Sequence, residues 1–152
     1  MATVRVQEAD FDVSTELAAL TAGRDDAGGI GCFVGVVRAS GGIAAMTLEH
    51  YPAMTERAIR QIADAAERRW SLLGCTVIHR VGRLPVGAQI VLVLAAAAHR
   101  GEALEATTFL IDWLKTKAPF WKREERADGS GEWVEARETD DAAAARWGAV
   151  AG

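Results

Sequence analysis

The chain has 152 residues, of which 50% are hydrophobic and 25% are charged, and its formal net charge is -4. A chain of this size can bury about 70% of its unfolded surface, which favours one self-sufficient globular domain, residues 1–152. The acidic balance argues against a general nucleic-acid or membrane-surface binder, because such proteins carry a net basic field. The start lacks the pattern of a secretory signal, and the longest apolar run, 90–98, is about half of the roughly 20 residues that span a bilayer. We therefore expect a soluble protein.

The cysteines and glycines do not indicate a metal or a nucleotide. Cys32 and Cys75 belong neither to a CxxC pair nor to a Cys/His cluster with zinc spacing. We expect both to be buried, reduced thiols, which indicates a cytoplasmic protein. The sequence contains no GxGxxG and no P-loop, so a nucleotide-binding fold has no support. No metal and no cofactor are predicted.

The first half of the chain combines short strands with two helices. The predicted elements, in chain order, are a strand at 4–6, a helix capped by Asp12 or Ser14 and ending at 20, strands at 30–38 and 43–50, and a helix from 59 to 70. This last helix is amphipathic, because its apolar residues recur at helical spacing over about four turns. Gly31 and Gly35 share a strand face with Phe33, and such small neighbours indicate that a backbone or a ligand approaches closely.

The second half continues in the same mixed order. Its predicted elements are strands at 75–81 and 89–98 joined by a turn at 82–87, a helix at 101–117, a hairpin of 120–125 with 132–137, and a helix at 140–147. Pro119 ends the long helix, because the residue before a proline is pushed out of the helical region. Trp121 and Trp133 are predicted to pair across the hairpin. His79 lies on the apolar face of its strand, so we interpret it as a satisfied core residue outside any site. The mixed order favours an α+β fold.

Lysine is rare in this chain, and its positions are clustered. Only three of the 17 basic residues are lysines, and Lys115, Lys117 and Lys122 fall within eight positions. Lysine differs from arginine in that its amine can lose its proton, although chance clustering explains the pattern equally well. Residues 115–126 include five basic and two acidic side chains, a net charge of +3. On an acidic chain this predicts a local anion site.

Lys115 and Lys122 belong to different elements, which the turn at Pro119 must bring together. Lys122 shares a strand face with Phe120, opposite Trp121. A lysine that acts as a nucleophile or base must be neutral at some stage, and lowering its pKa from about 10.4 to about 7 takes roughly 4 to 5 kcal/mol. Neighbouring cations supply that only with partial burial, whereas a lysine that stays protonated beside an oxyanion needs no such shift. Both roles remain open.

Two other places are candidate anion contacts. His99 and Arg100 lie between the end of an apolar strand and the start of a helix, where free N–H groups and the helix dipole favour a phosphate. A capping role at a solvated strand end explains them equally well. Arg38 ends the glycine-containing strand, a position where arginine is also commonplace.

Five segments, taken together, resemble the molybdopterin synthase large-subunit family. They are LEHYPAMTE (48–56), VIHRVGRLPVG (77–87), AHRGEA (98–103), KTKAPFWKRE (115–124) and EWVEAR (132–137), and they occur in the family order at family-like spacing. The likeness covers about residue 30 to Trp147. It is weak over 1–29, and residues 138–152 form a C-terminal tail or helix.

The resemblance implies a single-domain α/β hammerhead-type fold with a mixed or antiparallel sheet and two main helices. It implies a homodimer with a small ubiquitin-like subunit at each end, which makes a heterotetramer. The C-terminal Gly-Gly thiocarboxylate of that small subunit would deliver sulfur to cyclic pyranopterin monophosphate and form the molybdopterin dithiolene. The chain would then be a sulfurtransferase.

By position, the resemblance gives Lys115 and Lys122 catalytic roles in acid/base or covalent steps. It implies substrate contacts for both lysines and for Val36, Val37, Arg38, His99, Arg100, Arg123 and Glu124. His99 and Arg100 are expected to reach across the dimer, and Lys117 is an auxiliary charge. Many relatives have lysine where this chain has Val36, so a charge contact is lost at that position.

Two functions from other classes remain as alternatives. The basic and aromatic segment 115–126 could bind single-stranded nucleic acid by stacking and charge. The chain could also be a non-catalytic pterin-binding or scaffold subunit. Strongly salt-dependent binding of oligonucleotides would favour the first alternative. Activity that survives Lys115→Ala would favour the second.

Overall fold

The computed structural model describes residues 2–134 and 138–148. The strands in those ranges are β1 (Thr3–Gln7), β2 (Gly29–Val36), β3 (Ile43–His50), β4 (Gly74–Arg80), β5 (Gly82–Pro85), β6 (Gln89–Ala97), β7 (Phe120–Arg126) and β8 (Gly131–Val134). The helices are α1 (Val13–Thr21), α2 (Pro52–Trp70), α3 (Arg100–Lys117) and α4 (Glu138–Ala145). None of these helices combines the length and the apolar character needed to cross a membrane.

The strands form two four-stranded sheets. The first sheet has the order β1-β4-β6-β2, in which β1 and β4 are parallel and the other pairs are antiparallel. The second sheet has the order β5-β3-β7-β8 and is antiparallel throughout. Two long helices, α2 and α3, accompany them. This arrangement confirms the predicted α+β class with mixed and antiparallel sheets.

The long helix α3 packs closely on β2, and two glycines allow the approach. A Cβ atom on Gly31 would lie 2.1 Å from the hydroxyl oxygen of Thr107 and 2.5 Å from the carbonyl oxygen of Ala103. A Cβ atom on Gly29 would lie 3.3 Å from the Cα atom of Arg100. The close neighbour predicted at Gly31 is therefore a helix and not a ligand. Gly29 faces the start of α3, and Gly31 faces residues further along that helix, so α3 and β2 run in the same direction.

Most predicted elements are present, with shifted boundaries. Asp12 is the residue that caps α1, since its carboxylate accepts a hydrogen bond of 2.8 Å from the backbone N–H of Thr15. The amphipathic helix begins at Pro52, before the predicted 59, because the buried residue of its first turn, Thr55, is polar and leaves no apolar signal.

Two predictions about the second sheet are wrong. Residues 82–87 were predicted as a turn, but β5 occupies part of them and pairs with β3, placing Leu84 in the core with 1% exposure. Trp133 lies opposite Arg123 and not opposite Trp121, so the predicted tryptophan pair is offset along the hairpin. Residues 135–137, the end of the predicted second hairpin strand, lie outside the described residues.

Candidate functional site

The turn after α3 joins the two predicted catalytic lysines. Lys115 lies in the last turn of α3, and Ala118 then has extended backbone angles of φ -74° and ψ 125°, as expected before a proline. The backbone N–H of Phe120 donates a hydrogen bond of 2.9 Å to the carbonyl oxygen of Ala118. Strand β7 begins at Phe120 and places Lys122 two residues later. The predicted reversal at Pro119 is confirmed.

The three lysines have different surroundings. Lys122 is half-buried in the middle of the second sheet, opposite Leu48 of β3 and Val134 of β8. Lys115 is exposed. The ammonium nitrogen of Lys117 lies 5.5 Å from the centre of the Trp113 ring, a cation–π distance. Lys117 therefore packs against its own helix.

His79, a core residue by its sequence pattern, lies against this turn. The ring of His79, on β4, stacks on Phe120 with 3.8 Å between centroids and 19° between planes. Burial lowers the pKa of His79 to about 4, and the charges of Lys115 and His50 lower it further against the opposing effect of the hydrogen bond to Arg80. Its Nδ1 lies 2.8 Å from the carbonyl oxygen of Arg80, so the neutral ring donates there. His79 is satisfied, as predicted, but it borders the site.

A second histidine reaches the same ring. His50 is the direct partner of Phe120 in the register of β3 and β7, and the two ring centroids are 6.3 Å apart. Sequence reasoning missed both histidines as neighbours of the lysines. The sequence offers one sign of their position. His50 and His79 lie in two of the five segments that resemble the family, and neither segment supplied a predicted site residue.

The charges at the edge of the lysine segment are paired. Arg83 of β5 lies 3.1 Å from Glu125, and Arg126 lies 2.9 Å from Glu132 of β8. Both pairs are exposed at least on one side, and such pairs contribute about 0–1 kcal/mol. Their outside partners, Arg83 and Glu132, carry opposite charges, so the net +3 of residues 115–126 is unchanged. That charge is concentrated nearer the turn.

Arg123 and Glu124 follow Lys122 on β7, and their side chains point to opposite sides of the sheet. The guanidinium of Arg123 lies over Gly131 of β8, where a Cβ atom would be 2.7 Å from it. Glu124 shares the strand face of Lys122 and lies opposite Glu132 and Met46 in the ladder. Only Glu124 therefore lies on the lysine side of the sheet.

The end of β2 brings Arg38 to the same end of the first sheet as His79. Gly35 of β2 and His79 of β4 both pair with Val91 of β6, one from each side. Beyond Gly35, Val37 is buried, and its N–H and carbonyl are hydrogen-bonded to Ala88 at 2.9 Å and Gly87 at 2.8 Å. Val36 and Arg38, on either side of it, are exposed. Val37 thus fixes the backbone that presents its two neighbours.

His99 and Arg100 lie far from the lysines of the same chain. His99 is the N-cap residue of α3 without a side-chain capping bond, and Arg100 is the first residue of the helix. Since an α-helix rises about 1.5 Å per residue, Lys115 lies about 22 Å along the axis from Arg100. Within one chain, Arg100 therefore lies far from Lys115, whereas Arg38 lies at the end of the first sheet that also holds His79.

An open groove of about 400 Å³ lies on the second sheet, mostly on the face opposite Lys122. It is lined by Glu49, His50, Tyr51, Trp121 and Trp133. The rings of Tyr51 and Trp121 meet edge to face at 4.8 Å. Sequence reasoning missed this groove because its members come from three separate elements. Among the described residues its lining contains a carboxylate and no lysine or arginine, which does not suit the phosphates of a single-stranded nucleic acid.

The cysteines differ from each other in exposure. Cys75 is buried, as predicted, and burial raises the pKa of its thiol to about 12. Cys32 is exposed on β2, so the prediction that it is buried is wrong. Both are free thiols. Within the described ranges, no three His, Cys, Asp or Glu side chains are placed to hold a metal ion.

Comparison with known families gives a match over most of the chain. Residues 6–117 match the family model described as MoaE protein. A molybdopterin synthase catalytic subunit of Ralstonia nicotianae is 54% identical over 153 residues, which cover 99% of this chain and 86% of that protein. The family model covers the predicted site residues from Val36 to Lys115 and ends before Lys122.

Solved structures have the same fold. A molybdopterin biosynthesis MoaE protein from Burkholderia ambifaria superposes with a TM-score of 0.85 at 53% identity, covering 98% of this chain and 99% of that one. A complex of subunits 1 and 2 of molybdopterin-converting factor from Helicobacter pylori matches with a TM-score of 0.70 at 21% identity, over 90% of this chain and 92% of that one. The second likeness concerns the fold alone. The family model, the Ralstonia relative and the Burkholderia structure together show that this chain belongs to the MoaE family, the catalytic subunits of molybdopterin synthase.

Proposed function

We propose that this chain transfers sulfur from the C-terminal Gly-Gly thiocarboxylate of a small ubiquitin-like subunit to cyclic pyranopterin monophosphate, forming the molybdopterin dithiolene. The observation that carries the proposal is the turn at Pro119, which joins Lys115 on α3 to Lys122 on β7. Arg38 follows β2 at the end of the first sheet that also holds His79, whose ring stacks on Phe120 of the turn. Two amines and a guanidinium suit substrates that carry a phosphate and a thiocarboxylate, because both of those groups are anions.

The two lysines provide the chemistry that sulfur transfer requires. An amine can donate or accept a proton, can add covalently to a carbonyl carbon, or can stay protonated beside a developing oxyanion. Lys122 has partial burial and Lys115 is exposed, so the pair offers two different environments a short turn apart. We therefore propose both as catalytic residues, with Arg123 and Glu124 beside Lys122 as supporting charges.

A complete site requires a second copy of the chain. The separation of about 22 Å along α3 between Lys115 and Arg100 is larger than one small substrate spans. We therefore infer a homodimer in which His99 and Arg100 of one copy serve the lysines of the other. A small subunit bound to each copy completes a heterotetramer.

The edge of the first sheet suits such a dimer. Strand β2 is an edge strand, and Ile30, Cys32 and Val36 are exposed on one of its faces. Exposed apolar edge strands in native proteins are usually covered. If two copies pair antiparallel along β2, the start of one strand, next to Arg100, meets the end of the other, next to Arg38. That arrangement supports the inferred sharing of the site.

Two broader inferences accompany this function. Both sheets contribute to one cluster of buried side chains, which includes Leu48 and Leu84 of the second sheet and Val77 and Val93 of the first. We infer a single domain over residues 1–152 on that basis. The free thiols of Cys32 and Cys75 support a reducing compartment, and we place the reaction in the cytoplasm.

Reconstitution tests the proposal directly. The purified chain is mixed with a thiocarboxylated small subunit and cyclic pyranopterin monophosphate, and dithiolene formation is measured. Lys115→Ala and Lys122→Ala are expected to abolish conversion while small-subunit binding is retained. Lys117→Ala is the matched control and should keep activity within about two-fold, because its ammonium packs on Trp113. If Lys115→Ala converts substrate at the wild-type rate, the catalytic assignment is wrong and a scaffold role is favoured.

A further inference from the structure

The turn between the two lysines, residues 118–120, has little support of its own. Ala118 is extended and Pro119 has no backbone N–H, so the helical hydrogen-bond ladder ends there. Within the described part of the chain, the one backbone hydrogen bond across the turn is the 2.9 Å bond from Phe120 to Ala118. Contacts from other elements must therefore hold the turn in one position.

The first such contact comes from α2. The hydroxyl of Thr55 donates a hydrogen bond of 3.1 Å to the carbonyl oxygen of Pro119. Thr55 lies in the first turn of α2 and is fully buried, with 0% exposure. This buried hydrogen bond holds its two partners together, because breaking it would leave the carbonyl oxygen without a donor, which is costly. The bond therefore ties the middle of the turn to a residue 64 positions away in the sequence.

The second contact comes from the first sheet. His79 of β4 stacks flat on Phe120, the last residue of the turn, at 3.8 Å between centroids. The hydrogen bond of 2.8 Å between its Nδ1 and the carbonyl oxygen of Arg80 fixes the plane of the imidazole. Lys122 follows Phe120 on the same face of β7, so the orientation of this ring sets the start of the strand that carries the lysine.

We propose that Thr55 and His79 are positioning residues, which hold residues 118–120 and thereby fix Lys115 and Lys122 relative to each other. The catalytic consequence rests on the function proposed above, whereas the mechanical role does not. Thr55 and His79 belong to the segments LEHYPAMTE and VIHRVGRLPVG, which contribute no proposed catalytic or substrate-binding group. Their contacts with the turn give both segments a role in the site.

Conservative and disruptive variants at each position test the proposal. Thr55→Val removes the hydroxyl at nearly constant volume, whereas Thr55→Ser keeps it. His79→Phe keeps a flat ring on Phe120, whereas His79→Ala removes the ring. Two readouts are used on the full assembly. The first is hydrogen exchange of the backbone amides of residues 118 and 120–122, followed by mass spectrometry. The second is steady-state kinetics of dithiolene formation.

We expect faster exchange at residues 118 and 120–122 in Thr55→Val and His79→Ala, with unchanged exchange in β6 as the internal reference. Since a misplacement of about 1 Å can cost on the order of 100-fold in rate, kcat should fall at least about 10-fold in these variants. KM for the pterin should stay within about two-fold. Thr55→Ser and His79→Phe should keep both readouts near the wild type, which a general loss of stability would not produce.

Three results would overturn the proposal. The first is exchange at residues 118 and 120–122 that is unchanged in Thr55→Val. The second is a Thr55→Ser variant as impaired as Thr55→Val, and the third is a loss confined to KM or to the melting temperature. If His79→Ala fails to fold, the Thr55 pair and His79→Phe still decide the outcome. If the wild type forms no dithiolene, the proposed function fails, and the exchange measurement alone decides whether Thr55 and His79 hold the turn.

Discussion

Mixing two inactive variants of this chain should restore activity. The perturbations are Lys115→Ala and Arg100→Ala, which lie about 22 Å apart along α3 in one chain. If each site takes its lysines from one copy and Arg100 from the other, a mixed dimer contains one doubly impaired site and one intact site. Random pairing makes about half of the dimers mixed, so the expected activity of the mixture is about a quarter of the wild-type value.

The assay is dithiolene formation by the two variants, each inactive alone, after co-expression with different affinity tags. Isolation of the doubly tagged dimer should raise the activity to about half of the wild-type value, because one of its two sites is intact. Lys115→Ala combined with Lys122→Ala is the matched control. In the proposed site both lysines come from the same copy, so this mixed dimer contains no intact site and should stay inactive. A doubly tagged Lys115→Ala and Arg100→Ala dimer without activity would refute the shared site.

Three further predictions concern stability. Gly31→Ala should destabilise the fold by about 1–3 kcal/mol in chemical denaturation, because its Cβ would lie 2.1 Å from the Thr107 hydroxyl oxygen, and an unchanged midpoint would contradict the tight packing of α3. Burial lowers the pKa of His79 to about 4 in the folded chain, whereas in the unfolded chain the same imidazole binds a proton below about pH 6.5. Between these two pH values the unfolded state binds one more proton than the folded state. Stability should therefore fall by about 3 kcal/mol between pH 7 and pH 4, and His79→Phe should flatten that part of the profile when compared with the wild type. Asp112→Ala should loosen α4, because its carboxylate accepts bonds of 2.7 Å from Trp147 and 3.0 Å from Arg146, and tryptophan fluorescence identical to the wild type would count against this.

Local rules predicted the elements that depend on neighbouring residues. Pro119 ended α3 where expected, because the restriction on Ala118 acts within one peptide unit. Strand β3 has the predicted bounds 43–50, since it lies between a glycine turn and Pro52. The position of Lys122 on the face of Phe120 follows from the two-residue repeat of a strand.

Non-local packing decided the features that were missed. Strand β5 contains only four residues, and its pairing with β3 places Leu84 in a core that no local pattern reveals. The register of β7 against β8 places Trp133 opposite Arg123, because the hairpin loop sets the offset. The contact of His79 with Phe120 joins two different sheets, and periodicity within one strand carries no information about such a contact.

The sequence by itself determined which groups the site contains and where the chain must bend. The lysines near Pro119, the helix that ends before it and the strand that follows it are all local properties. Only the tertiary structure decided what surrounds them. It placed Thr55 and His79 against the turn. The reason is physical: backbone preferences act over a few residues, whereas sheet stacking and helix placement depend on burial shared among distant segments.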